Sequence, residues 1–175
     1  MMLGASCLLL LLSFAWALEP PNEETRFKKY SSLLAEWQKR GLVEHFPKVI
    51  STEASAKKLS AFPGFLQGGG WFQVRLTLPP AMVAGIFKDA TKQAKAFYDG
   101  GDAFKLVEEQ KDGLPGTSFH TTNNKGQDFP PDYRIFIFHA RASRPGEDFQ
   151  WNHGDSRGVV ISRTRNEVIY FAEDW

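Results

Sequence analysis

Two stretches of this chain alternate with period two and two more are β-branched or aromatic runs, while only two stretches carry a helical period. Trp71–Leu78 sets Phe72, Val74, Leu76 and Leu78 against Trp71, Gln73, Arg75 and Thr77. Tyr133–Arg141 sets Tyr133, Ile135, Ile137, His139 and Arg141 against Arg134, Phe136, Phe138 and Ala140. Val159–Arg163 and Glu167–Ala172 are further β-branched or aromatic runs around a polar turn at Arg165-Asn166. Side chains in a strand alternate between its two faces, and β-branched or aromatic runs favour the same conformation, so each run reads as a strand. If the last two join through a two-residue loop, Ile161 faces Tyr170 and Val160 faces Phe171, with Asn166 accepting a positive φ.

The helical periods lie at Glu23–Arg40, with Phe27, Tyr30, Leu33, Leu34 and Trp37 on one face before Gly41, and in a segment opened by Pro79-Pro80. In the second, Met82, Val83, Ile86, Phe87, Ala90, Ala94, Phe97 and Tyr98 share a face, and Gly100-Gly101 closes it. Short strands are expected near 104–107 and 117–121, and a helical turn around 55–61. Strands that follow one another without intervening helices pair antiparallel. The expected class is therefore α+β, with two amphipathic helices packed on one face of a mainly antiparallel sheet that ends in a C-terminal β-hairpin.

The chain has 175 residues and one cysteine, Cys7. Residues 1–18 are uncharged, are richest in leucine at Leu8–Leu12, and contain Ala15-Trp16-Ala17, the small-x-small pattern of a signal-peptidase site. A secretory signal over residues 1–17 and a single domain over 18–175 are expected, with export to a periplasm or the medium. The cationic flank usual in such signals is missing, which leaves an N-terminal membrane anchor as the alternative. Without Cys7 the domain holds no disulfide, and no Asn lies in an Asn-x-Ser/Thr site. Both points lean towards a bacterial origin.

Formal net charge is +1, which supplies no field for nucleic acid or an anionic membrane. Gly68-Gly69-Gly70 lacks the Lys-Ser/Thr of a phosphate loop. Gly154-Asp155-Ser156-Arg157-Gly158 matches the Gly-x-Ser-x-Gly pattern of a nucleophile elbow, but a strand follows it where the elbow requires a helix, and no histidine comes after Ser156. The string also resembles, over five residues, the Gly-Asp-Ser-Gly-Gly loop of chymotrypsin-like proteases. Arg157 breaks that likeness, and no family assignment follows.

His120, His139 and His153, with Asp155, form a candidate metal or general-base set, although none of their spacings is that of a known metal motif. No metal or cofactor is expected. The connection from Ala142 to Asp155 is longer than ordinary connections and contains Arg144, Phe149, Trp151 and His153. Arginine forks bind carboxylate or phosphate, and tryptophan stacks on sugars or cations. The expectation is a non-catalytic module that binds a small ligand or a protein through residues 142–157, using Arg141, Arg144, Trp151, His153 and Arg157. The alternatives are a small hydrolase built on His139, His153, Asp155 or Ser156, and an envelope accessory or inhibitor protein.

Overall fold

In a computed structural model, residues 22–64, 69–101, 117–123, 128–142 and 154–174 are described. The long connection's Arg144, Phe149, Trp151 and His153, the leader at 1–17 and the stretch 104–107 lie outside them. The elements are α1 (Tyr30–Gln38, entered through a 3-10 turn at Phe27–Lys29), β1 (Ala56–Phe62), β2 (Gly70–Thr77), α2 (Pro80–Gln93), β3 (Ala96–Asp99), β4 (Arg134–Ala142), β5 (Gly154–Ser162) and β6 (Glu167–Asp174). The strands make one sheet in the order β1-β2-β6-β5-β4-β3, every neighbouring pair antiparallel. The class is α+β.

One face of the sheet lies under the helices. Tyr30 and Trp37 of α1 meet Phe72, which also stacks on Phe46 at 4.9 Å, and Phe87 of α2 meets Phe136 edge-on at 5.2 Å. Val74, Leu76, Val83, Ala90, Val159, Ile161, Val168 and Tyr170 complete this core. The opposite face lies under the irregular segments 117–123 and 128–133. There Phe119, Phe129 and Tyr133 cover Ile135, Ile137, Val160, Ile169 and Phe171.

Several expectations change. Residues 56–62 form an edge strand instead of a helical turn, because Leu59 and Ala61 are buried in register against Val74 and Phe72. Such pairing overrides the weak strand propensity of Ala56-Lys57-Lys58. The second helix stops at Gln93, and Ala96–Asp99 leaves it to pair with Ile137–Arg134 of β4, placing Phe97 and Tyr98 in a strand. The first helix begins only at Tyr30, because Glu24 is bridged to Ala61 in extended backbone. Residues 117–121 form no named strand.

The β5–β6 connection has four residues, 163–166, so Ile161 faces Val168 and Val160 faces Ile169. Asn166 does take a positive φ of 56°. A bulge between Ile137 and His139 breaks the alternation of β4: Ile137 pairs with Gly158 and His139 with Arg157. An extra residue at a bulge reverses the facing of all that follows. His139 and Arg141 therefore leave the Ile135–Ile137 face and lie on the helix side. Gly158 is obligatory at this crossing, since a Cβ there would stand 1.9 Å from the Phe136 carbonyl oxygen.

Candidate functional site

The bulge and the β4–β5 register bring four of the expected site residues together. His139 lies opposite Arg157, and Arg141 opposite Asp155, all on the helix side of the sheet at the end where β4 and β5 run into the long connection. Asp155 is the centre of the group. Its side chain is only 7% exposed, and its Oδ2 accepts from Arg141 Nε at 2.8 Å and stands 2.7 Å from Arg141 Nη2. Oδ1 stands 3.5 Å from His139 Nε2, yet this buried oxygen has no hydrogen-bond partner. Arg141 itself is 71% exposed, so the carboxylate grips one edge of its guanidinium and leaves the remainder facing water.

Arg157 donates to the Gly41 carbonyl and to Glu44, tying β5 to the chain that leaves α1. Burial lowers the His139 pKa below its ordinary value, and Asp155 offsets this only in part. At neutral pH the ring is therefore a neutral imidazole beside a carboxylate. Two arginines and two carboxylates leave the cluster with no formal net charge.

Ser156 does not join the group. It pairs with Ala140 on the other side of the sheet, is fully buried, and its Oγ has no partner. The histidine set also divides, because His120 is on the loop side, stacked on Trp71 at 4.3 Å with Nε2 3.4 Å from Glu173 Oε1. Among the described residues no group of three or more His, Cys, Asp or Glu is placed to hold a metal ion. Comparison with protein-family models, curated proteins and solved structures gives no match.

Two residues that matter here escaped the sequence reading, Glu44 and His45. His45 Nε2 lies 2.9 Å from the Gly158 carbonyl oxygen and 3.2 Å from that of Phe171. Carbonyls only accept, so Nε2 carries the proton, and Nδ1 is left as a buried lone pair without a partner. The ring sits against Phe46, Phe138 and Tyr170, and burial lowers its pKa to about 4. Nothing local in Glu44-His45-Phe46 signals this, because the partners are more than a hundred residues away in sequence.

Proposed function

We propose that this protein is a non-catalytic binding module that holds a small ligand at the helix-side end of β4 and β5. The carrying observation is the Arg141–Asp155 pair. A buried Asp155 oxygen lacks a donor, and beside it an oriented guanidinium turns its outer edge to water. An unmet buried acceptor is costly, and an arginine edge favours a carboxylate. A molecule with a carboxylate next to a hydroxyl or ammonium donor answers both needs, and its small net charge suits a cluster with none. The ligand class is thus a small hydroxy or amino acid.

The test is amide NMR of the purified protein titrated with lactate and serine, against acetate, which lacks the donor, and ethanolamine, which lacks the carboxylate. Lactate or serine is expected to shift amides at 139–142 and 154–157, acetate and ethanolamine at least tenfold more weakly, and Arg141→Gln to abolish the response. If neither lactate nor serine moves these amides, the reading fails.

A second reading rests on the His139–Asp155 contact, a neutral imidazole beside a buried carboxylate, which is the base half of a hydrolytic set. Ser156 is no nucleophile for it, so the nucleophile would be water or a residue of the long connection. Ester hydrolysis lost in His139→Gln would favour this reading, and no hydrolysis above that variant's level would end it. Export is part of the proposal and rests on the uncharged leader with Ala15-Trp16-Ala17. N-terminal sequencing of the native protein is expected to begin at Leu18, and an intact Met1 would overturn cleavage. No helix among the described residues is long and apolar enough to cross a membrane.

A further inference from the structure

An open sheet has two edge strands, here β1 and β3, and they are finished differently. The outer side of β1 is bridged at Ala61 by Glu24, through backbone hydrogen bonds of 2.7 and 2.9 Å, and its next turn of strand carries Lys57 and Lys58, both exposed. A covering segment and repeated lysines are the usual guards of an edge, because they keep a second copy from pairing there. At β3 no such cover is found. Among the described residues nothing pairs with its outer side.

The register assigns the free backbone groups of β3. Gly100 N donates to the Tyr133 carbonyl at 2.8 Å, in step with the Tyr98–Ile135 and Ala96–Ile137 pairs, so Ala96, Tyr98 and Gly100 turn their backbone groups towards β4. The N–H and C=O of the alternate residues, Phe97 and Asp99, therefore point away from the sheet. Phe97 touches Phe136 and the Arg134 guanidinium on the helix side, yet its side of the strand is uncovered and the residue is 57% exposed. Of the described strand residues it is the only large hydrophobic one left exposed. Lys95 at the entrance of the strand and Asp99 at its end are exposed as well.

This edge is complementary to itself. Two copies of β3 laid antiparallel about a two-fold axis at Phe97 exchange the Phe97 N–H and C=O, set one Phe97 ring against the other, and bring Lys95 of each copy to Asp99 of the other. Moving the axis to Tyr98 sets Phe97 against Asp99 and loses both matches. Arg134 already donates to Asp99 at 2.7 and 3.2 Å, but a carboxylate offers about four acceptor sites, which leaves room for a lysine. Aromatic pairs and opposite charges facing across antiparallel strands are both favourable, and a patch that matches itself is the geometry of a two-fold dimer. We infer that the protein self-associates through β3 into a dimer whose sheet runs on from one copy to the other. An axis normal to the sheet keeps the helix layers of both copies on the same side. The strand is four residues long, so the dimer is a reversible one.

Sedimentation equilibrium of the purified protein, from low micromolar to several hundred micromolar, tests this together with hydrogen exchange. A monomer–dimer equilibrium is expected, with the Phe97 amide exchanging more slowly as the dimer fills. Phe97→Asp, at an exposed position, is expected to weaken the dimer at least tenfold. Lys95→Glu and Asp99→Lys each set like charges against one another and are each expected to weaken it at least tenfold alone. Mixed in equal amounts, those two variants restore both opposite-charge pairs and are expected to form a heterodimer at least tenfold tighter than either homodimer. A protein that stays monomeric throughout, a dimer unaffected by Phe97→Asp, or a mixture that associates no better than its components would each overturn the inference.

Discussion

The two sides of the sheet are covered by different kinds of chain, and their buried side chains differ accordingly. Helices satisfy most of their own backbone hydrogen bonds, so the sheet can meet α1 and α2 with apolar residues such as Phe72, Val74, Phe136 and Val168. The irregular segments on the other side pair few of their own backbone groups, among them His120 N with the Ser118 carbonyl and Tyr133 N with that of Pro130, and bring the rest to the sheet. There the strands project polar side chains: Gln73 to Ser118 and Thr121, Arg75 to Thr121, and the Arg75–Glu167–Tyr133 chain that ties the segment before β4 to β6. A sheet roofed by loops needs buried polar fasteners, because an unpaired buried backbone group costs about 1–3 kcal/mol.

That difference is open to a paired substitution. Phe72→Ala opens a cavity beneath Tyr30, Trp37 and Phe46 and is expected to cost about 3–5 kcal/mol of global stability. Gln73→Leu, one residue away and equally buried, keeps the volume but strands the Thr121 amide and removes one donor from the Ser118 carbonyl, for about 2 kcal/mol. Hydrogen exchange distinguishes the two modes of loss. Phe72→Ala should speed exchange of the slowest core amides throughout the sheet, and Gln73→Leu should speed residues 117–123 beyond its global effect. Uniform acceleration in both variants would mean the two sides are held in the same way.

The helix side has its own polar fastener in His45, and pH exposes it. Its folded pKa of about 4 lies below the ordinary 6.5, so between these values the unfolded chain binds the extra proton and the folded chain does not. Stability contributed by the neutral ring is full above about pH 6.5 and is lost as pH falls towards 4. A shift of this size corresponds to about 3 kcal/mol. His139, shifted in the same direction, adds to the fall. Urea denaturation at pH 7, 6 and 5 is expected to show the native protein losing stability faster than His45→Gln. Parallel slopes for the two proteins would show that the imidazole is already charged when folded.

What the sequence revealed and what it concealed follow the same division. The helix-side strand face of β2 was legible, since Phe72, Val74 and Leu76 alternate without interruption and Pro79-Pro80 marks where a helix starts. The edge strand β1 was not, because Ala56-Lys57-Lys58-Leu59 has the composition of a helix and becomes a strand only by pairing with β2. Phe97 and Tyr98 continue the helical period of α2 by coincidence and leave it because β4 offers them a partner. At the site, the residue types were legible and their facing was not. One bulge moved His139 and Arg141 to the side of Asp155, and the strand alternation put Ser156 away from them. Backbone irregularities of one residue leave no mark in a period-two pattern, yet they decide which side chains meet.

The smallest expected effect concerns Asp132, which links the segment before β4 to the β5–β6 turn. Its carboxylate accepts from Arg165 Nε at 2.7 Å and Nη2 at 3.0 Å, from Ser162 Oγ at 2.8 Å and from Thr164 Oγ1 at 3.1 Å. The Arg165 hydrogen bonds, ahead of the two hydroxyls, hold its pKa well below the usual carboxylate range. Stability from this pairing is therefore full above the unfolded carboxylate's pKa and is lost progressively as pH falls from there towards the lower folded pKa. Arg165 is half exposed, so water screens the pair, and Asp132→Asn is expected to cost less than about 1 kcal/mol at neutral pH. The difference from the native protein should shrink further in high salt and as pH falls below the ordinary carboxylate range. A loss comparable to that of Gln73→Leu would mean that the loop layer depends on its exposed ties as much as on its buried ones, and the contrast between the two sides would then lie in geometry and not in burial.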